Sequence, residues 1–322
     1  MPAAAAQPVI DERARGGAAT GMATGAADGP RWPGWATIAL FLLPAFAIYA
    51  VFVLYPILQS IRYSLHEWSG ISPGFEFVGL GNYRTLIGDD VFWKALRNNL
   101  ILVVASIAIQ LPIGLGLALL AEQRLRGWRV FRTVWFLPLL MSTVAIGLLW
   151  NYIYDPTFGL INTALHTFGL DSWQRGWLGE KETALGSVIA VICWQYIPFY
   201  MVLFIAGLTT IPADLLEAAR LDGASGWTLF RSVTLPLLRP VIRTSAILSL
   251  IGSLKYFDLI YVMTGGGPGD ATQLMATYMY ENAFTQFDMG YGSAIAVALF
   301  LIAFVITGLV LYLDQFRAGR EE

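Results

Sequence analysis

Of 322 residues, 57% are hydrophobic and only 13% charged, and the mean hydropathy is +0.61. Soluble domains carry roughly a quarter charged residues, so this composition suits lipid as its solvent. The formal net charge of −2 says little about partners, and no nucleic acid is expected. One cysteine, Cys193, excludes an internal disulfide framework and a cysteine zinc cluster. His66 and His166 lie in different loops and argue against a histidine metal site.

Residues 1–34 are rich in Ala and Gly, cannot build a core, and read as a disordered tail. They do not read as a signal peptide. Asp11 and Glu12 interrupt the basic region, and the apolar run that follows is too long. The first span covers residues 36–61 and carries Pro44 and Pro56, which neighbouring helices tolerate in lipid. Residues 35–95 hold this span and a polar outer loop containing Phe77-Val-Gly-Leu-Gly81-Asn82-Tyr83. Further spans are expected at residues 100–120, 134–152, 184–208, 241–263 and 294–313, within a core of 96–316. Each is long enough to cross about 30 Å of hydrocarbon. The expectation is an all-α membrane protein with six transmembrane helices.

Lys and Arg set the orientation. One set of connections holds Arg13, Arg15 and Arg31, then Arg124, Arg126, Arg129 and Arg132, then Arg220, Arg231, Arg239 and Arg243, then Arg317 and Arg320. The opposite set holds six such residues, and the loop over residues 264–291 has none. The positive-inside rule therefore puts both termini in the cytoplasm.

Between the fourth and fifth spans lies a soluble-looking stretch, Ile211-Pro-Ala-Asp-Leu-Leu-Glu217-Ala-Ala-Arg-Leu-Asp222-Gly223, continuing through Trp227 to Leu235-Pro236. Pro212 suits a first helical turn. Asp214 and Glu217 follow where the helix dipole favours negative charge. Gly223 stands where a helix closes on a left-handed residue. A second helical piece should run from Trp227 until Pro236 and Pro240 stop it. A plain amphipathic helix lying in the headgroups is the alternative reading.

The spacing of Glu217, Ala218, Ala219, Gly223, Leu235 and Pro236 resembles the EAA loop of binding-protein-dependent ABC importer permeases. The resemblance implies a type I importer fold, with this elbow as the coupling helix that docks on the ATPase subunit. Glu217, Ala218, Ala219, Asp222, Gly223, Leu235 and Pro236 would then carry the coupling. Within it, Glu217 would make a charged contact to the ATPase or inside the elbow, and Gly223 would set the bend. A second stretch, Tyr256-Phe-Asp258-Leu-Ile-Tyr261-Val-Met-Thr264-Gly-Gly-Gly267-Pro268-Gly269, resembles the sugar-uptake branch, as does the segment ending at Tyr83. The family implies ABC ATPase subunits, a second homologous permease in a heterodimer and a periplasmic or lipid-anchored solute-binding protein. It also implies a location in the bacterial inner membrane, among lipid.

Polar residues inside spans mark a solute path. On the fourth span, Gln195, Tyr196 and Phe199 flank Pro198, offering the aromatic faces and amide that suit a sugar. On the fifth, Ser249, Ser253 and Tyr256 recur at intervals of four and three, on one face. Helix-packing glue is the bland reading of the small polar residues. Lys255 and Asp258, three apart, share a helical face where they could neutralise each other, either in a transport role or as a structural pair snorkelling towards the outer interface.

The chain has no G-x-x-x-x-G-K-[ST], so it holds no cofactor by that route; ATP and Mg would be bound by a partner ATPase. Neither Gly-x-Ser-x-Gly nor His-Glu-x-x-His occurs, which leaves hydrolase chemistry without its usual parts. The rival reading is an ion-coupled secondary transporter of small polar solutes. It would need intramembrane carboxylates or broken repeats, and Asp258 is the only acid well inside a span.

Overall fold

The computed structural model describes residues 34–122 and 127–318. The expected tail up to residue 33, and Arg124, Arg126 and Arg320 of the orientation argument, lie outside the described residues. The chain divides between Leu54 and Tyr55 into two compact units. In the first, α1 (Gly34–Tyr49) runs into a wide π-helical turn, Ala50–Leu54. Its apolar side chains are open along the whole length, with Phe41 79% exposed. Such an all-round apolar helix needs lipid or another protein as cover.

The second unit begins with α2 (Tyr55–Tyr63), a two-stranded antiparallel hairpin of β1 (His66–Glu67) and β2 (Glu76–Phe77), and α3 (Gly81–Ile87). Then come α4 (Asp90–Glu122), α5 (Trp128–Leu140), α6 (Thr143–Ile153), α7 (Leu160–Thr167) and α8 (Ala184–Thr209). The elbow holds α9 (Ala213–Leu221) and α10 (Gly226–Leu229); α11 (Leu235–Leu254), α12 (Asp258–Met263), α13 (Met275–Tyr280) and α14 (Met289–Ala318) complete the chain. Among the described residues, five helical stretches are long and apolar enough to cross a membrane, or six with a bent pair counted as one span.

That bent pair departs from the expected straight third span. Val130–Leu140 and Thr143–Ile153 meet at 102°. Pro138 supplies no N–H near the end of α5, and Met141 and Ser142 adopt extended backbone at ψ 148° and 134°. The carbonyl of Ser142 then accepts from Ile146 N, starting a new helix.

The fifth span also differs. It runs over Gly226–Leu254, so Pro236 and Pro240 do not stop it. A π-helical turn, Phe230–Thr234, precedes α11, and Pro236 falls in its first positions, where a missing N–H costs little. The far end stops at Leu254, short of the expected 263, because the carbonyls of Ser253 and Leu254 turn to a side chain of α4.

Close helix crossings hold the core. Leu111, Met201, Phe204 and Leu238 join α4, α8 and α11, while Leu102, Ile146, Val188 and Leu259 join α4, α6, α8 and α12. At the α4–α8 crossing a Cβ on Gly114 would stand 3.0 Å from Tyr200 Cβ and 3.1 Å from Met201 N.

At the hairpin end, Asp89 caps α4. Its Oδ1 accepts from Val91 N at 2.8 Å, and its Oδ2 accepts from Tyr278 Oη at 2.6 Å and from Tyr291 Oη. Partial burial pushes this carboxyl up, but the bonds from Tyr278, Tyr291, Val91 and Phe92 outweigh it and hold it below 3.8. The charged form is therefore favoured by folding. Its contribution is complete above the ordinary aspartate value and lost as pH falls through the lowered one. Asp89→Asn should unfold earlier than wild type at pH 7, with the gap closing below about pH 4. Thermal melts in detergent at pH 7 and pH 3 check this.

Candidate functional site

Two features stand at opposite ends of one continuous helical stretch. The first is the elbow. Pro212 is the residue before α9 rather than within it, at φ −59° and ψ 132°. At the other end of α9, Gly223 has φ +89°, its N–H reaches Arg220 O at 3.0 Å, and Ala224 N reaches Ala219 O at 2.9 Å. This is a Schellman close, and its left-handed residue suits glycine. Asp222 is the last residue before that turn.

Glu217, Ala218, Asp222 and Gly223 are exposed, and Ala219, Leu235 and Pro236 are half-buried. Glu217 makes no hydrogen bond or ion pair among the described residues, so the contact inside the elbow that the sequence allowed is not formed. Leu221 is 90% exposed beside it, and Trp227 is 69% exposed. The elbow's surface thus combines a bare carboxylate, small residues and large uncovered apolar groups. Behind it, α4 and the elbow enclose a groove of about 780 Å³, with Leu115 and Leu119 facing Leu216, Trp227 and Phe230.

The second feature is a cavity of about 380 Å³ among α4, α8 and α11. Tyr196, Phe199 and Tyr200 supply its aromatic wall from α8; Ser249 and Ser253 line it from α11, and Tyr256 from just beyond. Five of the six residues read from the sequence as a solute path thus come together. Gln195 does not. It turns off the α8 stripe that faces the cavity, is 3% exposed, and its amide meets Thr143 Oγ1 at 3.3 Å.

Sequence reading missed Ser106 and Gln110, which α4 brings to the same cavity. A serine and an amide four apart in an apolar span were the available signal. Tyr256 Oη is buried without a hydrogen-bond partner, leaving a polar group that a ligand or water would satisfy.

Lys255 and Asp258 line the cavity as well, but not as a neutralised pair. The helix ends between them: Lys255 caps α11 and Asp258 opens α12. No ion pair joins them. Their expected spacing of three on one helical face fails because that helix is not there. Among the described residues no cluster of His, Cys, Asp and Glu is placed to hold a metal.

Residues 110–318 match the family described as the binding-protein-dependent transport system inner membrane component. The chain belongs to that family. This permease is 41% identical over 285 residues to the probable ABC transporter permease protein YurN of Bacillus subtilis, covering 88% of this chain and 97% of that one. It is 35% identical over 278 residues to the trehalose/maltose transport system permease protein MalF of Thermococcus litoralis, covering 86% and 93%.

The permease fold also matches a solved bacterial alginate ABC transporter, crystallised with its periplasmic protein carrying an alginate pentasaccharide. The TM-score is 0.76 over 86% of this chain and 92% of that chain, at 23% identity. The architecture is thus the type I importer permease fold, and the chain is an inner-membrane transport component.

Proposed function

We propose that this permease forms one half of the path for a neutral sugar in an ATP-driven importer, and that the elbow couples it to the ATPase. The observation that carries the solute class is the cavity. Three aromatic faces suit the C–H faces of sugar rings, and Gln110, Ser249 and Ser253 suit hydroxyls. Lys255 and Asp258 add no net charge at its edge, which disfavours phosphorylated solutes. Relatives named for trehalose and maltose transport support the same class.

In this reading the elbow and both termini are cytoplasmic, and the hairpin and the Thr264–Gly269 turn face outward. A solute-binding protein delivers sugar at the outer end, in keeping with the alginate transporter's complex with a periplasmic protein carrying its own solute. Two partner ATPases hold ATP and Mg. Their closure moves the elbow at Glu217–Gly226, and the bundle rocks about the cavity. A second, homologous permease completes the pathway.

The test is a pulldown from mild detergent with mass spectrometry, wild type beside Glu217→Lys, paired with uptake of a radiolabelled disaccharide panel. Wild type should retain a P-loop ATPase and a second permease and take up at least one sugar. Glu217→Lys should lose most of the ATPase, about tenfold or more, because a bare carboxylate becomes an opposite charge at a docking surface. Wild type without an ATPase in any mild detergent overturns the proposal. ATPase retention by Glu217→Lys removes the coupling role from that residue alone.

A further inference from the structure

Two adjacent asparagines on α4, neither part of the cavity lining, are buried among backbone groups more than 150 residues away. Asn99 is fully buried. Its Nδ2 donates to Ser253 O and Leu254 O, each at 3.0 Å, and its Oδ1 accepts from Met275 N at 2.8 Å. The two carbonyls close α11, and the N–H opens α13. One amide thus satisfies the orphan acceptors of one helix end and an orphan donor of another. Asn98, 5% exposed, donates to Ala271 O at 3.0 Å and Gln273 O at 2.9 Å, holding the returning loop.

What these bonds hold is the break at Lys255–Phe257. Ser253 and Asp258 on either side of it, and Lys255 and Tyr256 within it, all face the cavity. The helix that carries Asn99 also carries Ser106 and Gln110 into the same cavity, two and three turns further on. A shift of α4 therefore moves the cavity's wall and its end together.

We propose that Asn99 is a positioning residue for transport: its amide fixes the α11–α12 break that forms the hairpin-side end of the solute cavity. The role needs both faces of a primary amide. Only a group with two N–H donors and an acceptor meets two carbonyls and an N–H at once. A carboxylate of the same size would present lone pairs to two carbonyls. This inference rests on the cavity being the solute path, but its test does not need the solute.

Gly252 provides a reporter. It lines the cavity, and a Cβ added there meets nothing within 4 Å. In a Cys193→Ser background, Gly252→Cys is labelled with N-ethylmaleimide in the intact, purified complex. Into this reporter go Asn99→Asp, Asn99→Leu and Asn99→Gln, with Asn282→Ala as control. Asn282 is also buried and donates to Tyr278 O at 2.8 Å, but it is not part of the cavity.

Asn99→Asp and Asn99→Leu should change the labelling rate at least fivefold, in step with each other. Asn99→Gln, which keeps the amide, should return it to within about twofold of the parent, and Asn282→Ala should leave it there. A role confined to packing predicts the reverse order, with the isosteric Asn99→Asp nearest the parent. That order, or parental rates in both Asn99→Asp and Asn99→Leu, overturns the proposal. If neither of those assembles, Asn99→Gln decides through the nucleotide dependence of labelling. The parent's change between nucleotide-free and vanadate-trapped complex should be kept, and its loss overturns the proposal. Failure of sugar uptake in wild type would count against the proposed function and leave this result standing.

Discussion

Gly223→Asp should insert and accumulate as wild type does, yet ATP-driven uptake should fall about a hundredfold or more. Nothing lies within 4 Å of a Cβ added at this residue, so no internal clash follows. Its φ of +89° is strained for any L-residue, but Asp tolerates the left-handed region better than most, at roughly 1–2 kcal/mol. The new carboxylate also meets the negative end of the α9 dipole, which costs about 0.3–1 kcal/mol at an exposed site. Neither penalty unfolds a helix bundle. What changes is the outward face of the elbow, where a bare glycine gives way to a charged branch. A hundredfold loss is about 2.7 kcal/mol of docking or transmitted work. Uptake per inserted subunit, normalised by immunoblot, is the measurement, and uptake near wild type would remove the elbow from the coupling step.

The second large effect belongs to folding. Gly114→Leu should reduce the amount of assembled chain several-fold and lower its melting temperature, while Gly116→Leu should do neither. At Gly114 the added carbon faces Met201 N at 3.1 Å and Tyr200 C at 3.3 Å, which are backbone atoms that cannot swing aside. The α4 and α8 axes must separate, at about 1–3 kcal/mol or more, and the cavity formed by both helices opens with them. At Gly116, two residues on, an added Cβ meets nothing within 4 Å. The pair isolates helix contact from helix propensity, since both exchanges replace Gly by Leu in one helix. Equal losses at the two positions would mean that the crossing is not what sets stability.

These two glycines show how unevenly the sequence can be read. Gly223 was legible because its signal is local: an amphipathic helix ends, and a left-handed residue follows within one turn. Ser249 and Ser253 were legible through their spacing of four, which fixes a common face in any intact helix. Lys255 and Asp258 were not, because the same reasoning presumed a helix that stops at Leu254. The stop is imposed from α4, by Asn99, and no feature near Leu254 announces it. The bend between α5 and α6 was hidden for a related reason. The stretch is largely apolar, and a proline by itself is tolerated inside a span. Gln195 was assigned by composition, whereas one step along α8 decides between the cavity and Thr143. Asn98 and Asn99 carry no signal of their role in the sequence, since backbone carbonyls leave no mark in a pattern of side chains.

The helical stretch Gly226–Leu254 starts in the elbow and ends at the cavity, with no loop between. At 1.5 Å per residue it is about 40 Å long, and a helix resists compression far better than a chain of side-chain contacts does. With the elbow coupled to an ATPase as proposed, this stretch would serve as a pushrod. Displacement at one end arrives at the other without a relay of intermediate residues. Its slack lies in the wide turn at Phe230–Thr234 and at Pro240, which supplies no N–H inside α11, so stiffness there would set how much of each stroke is delivered.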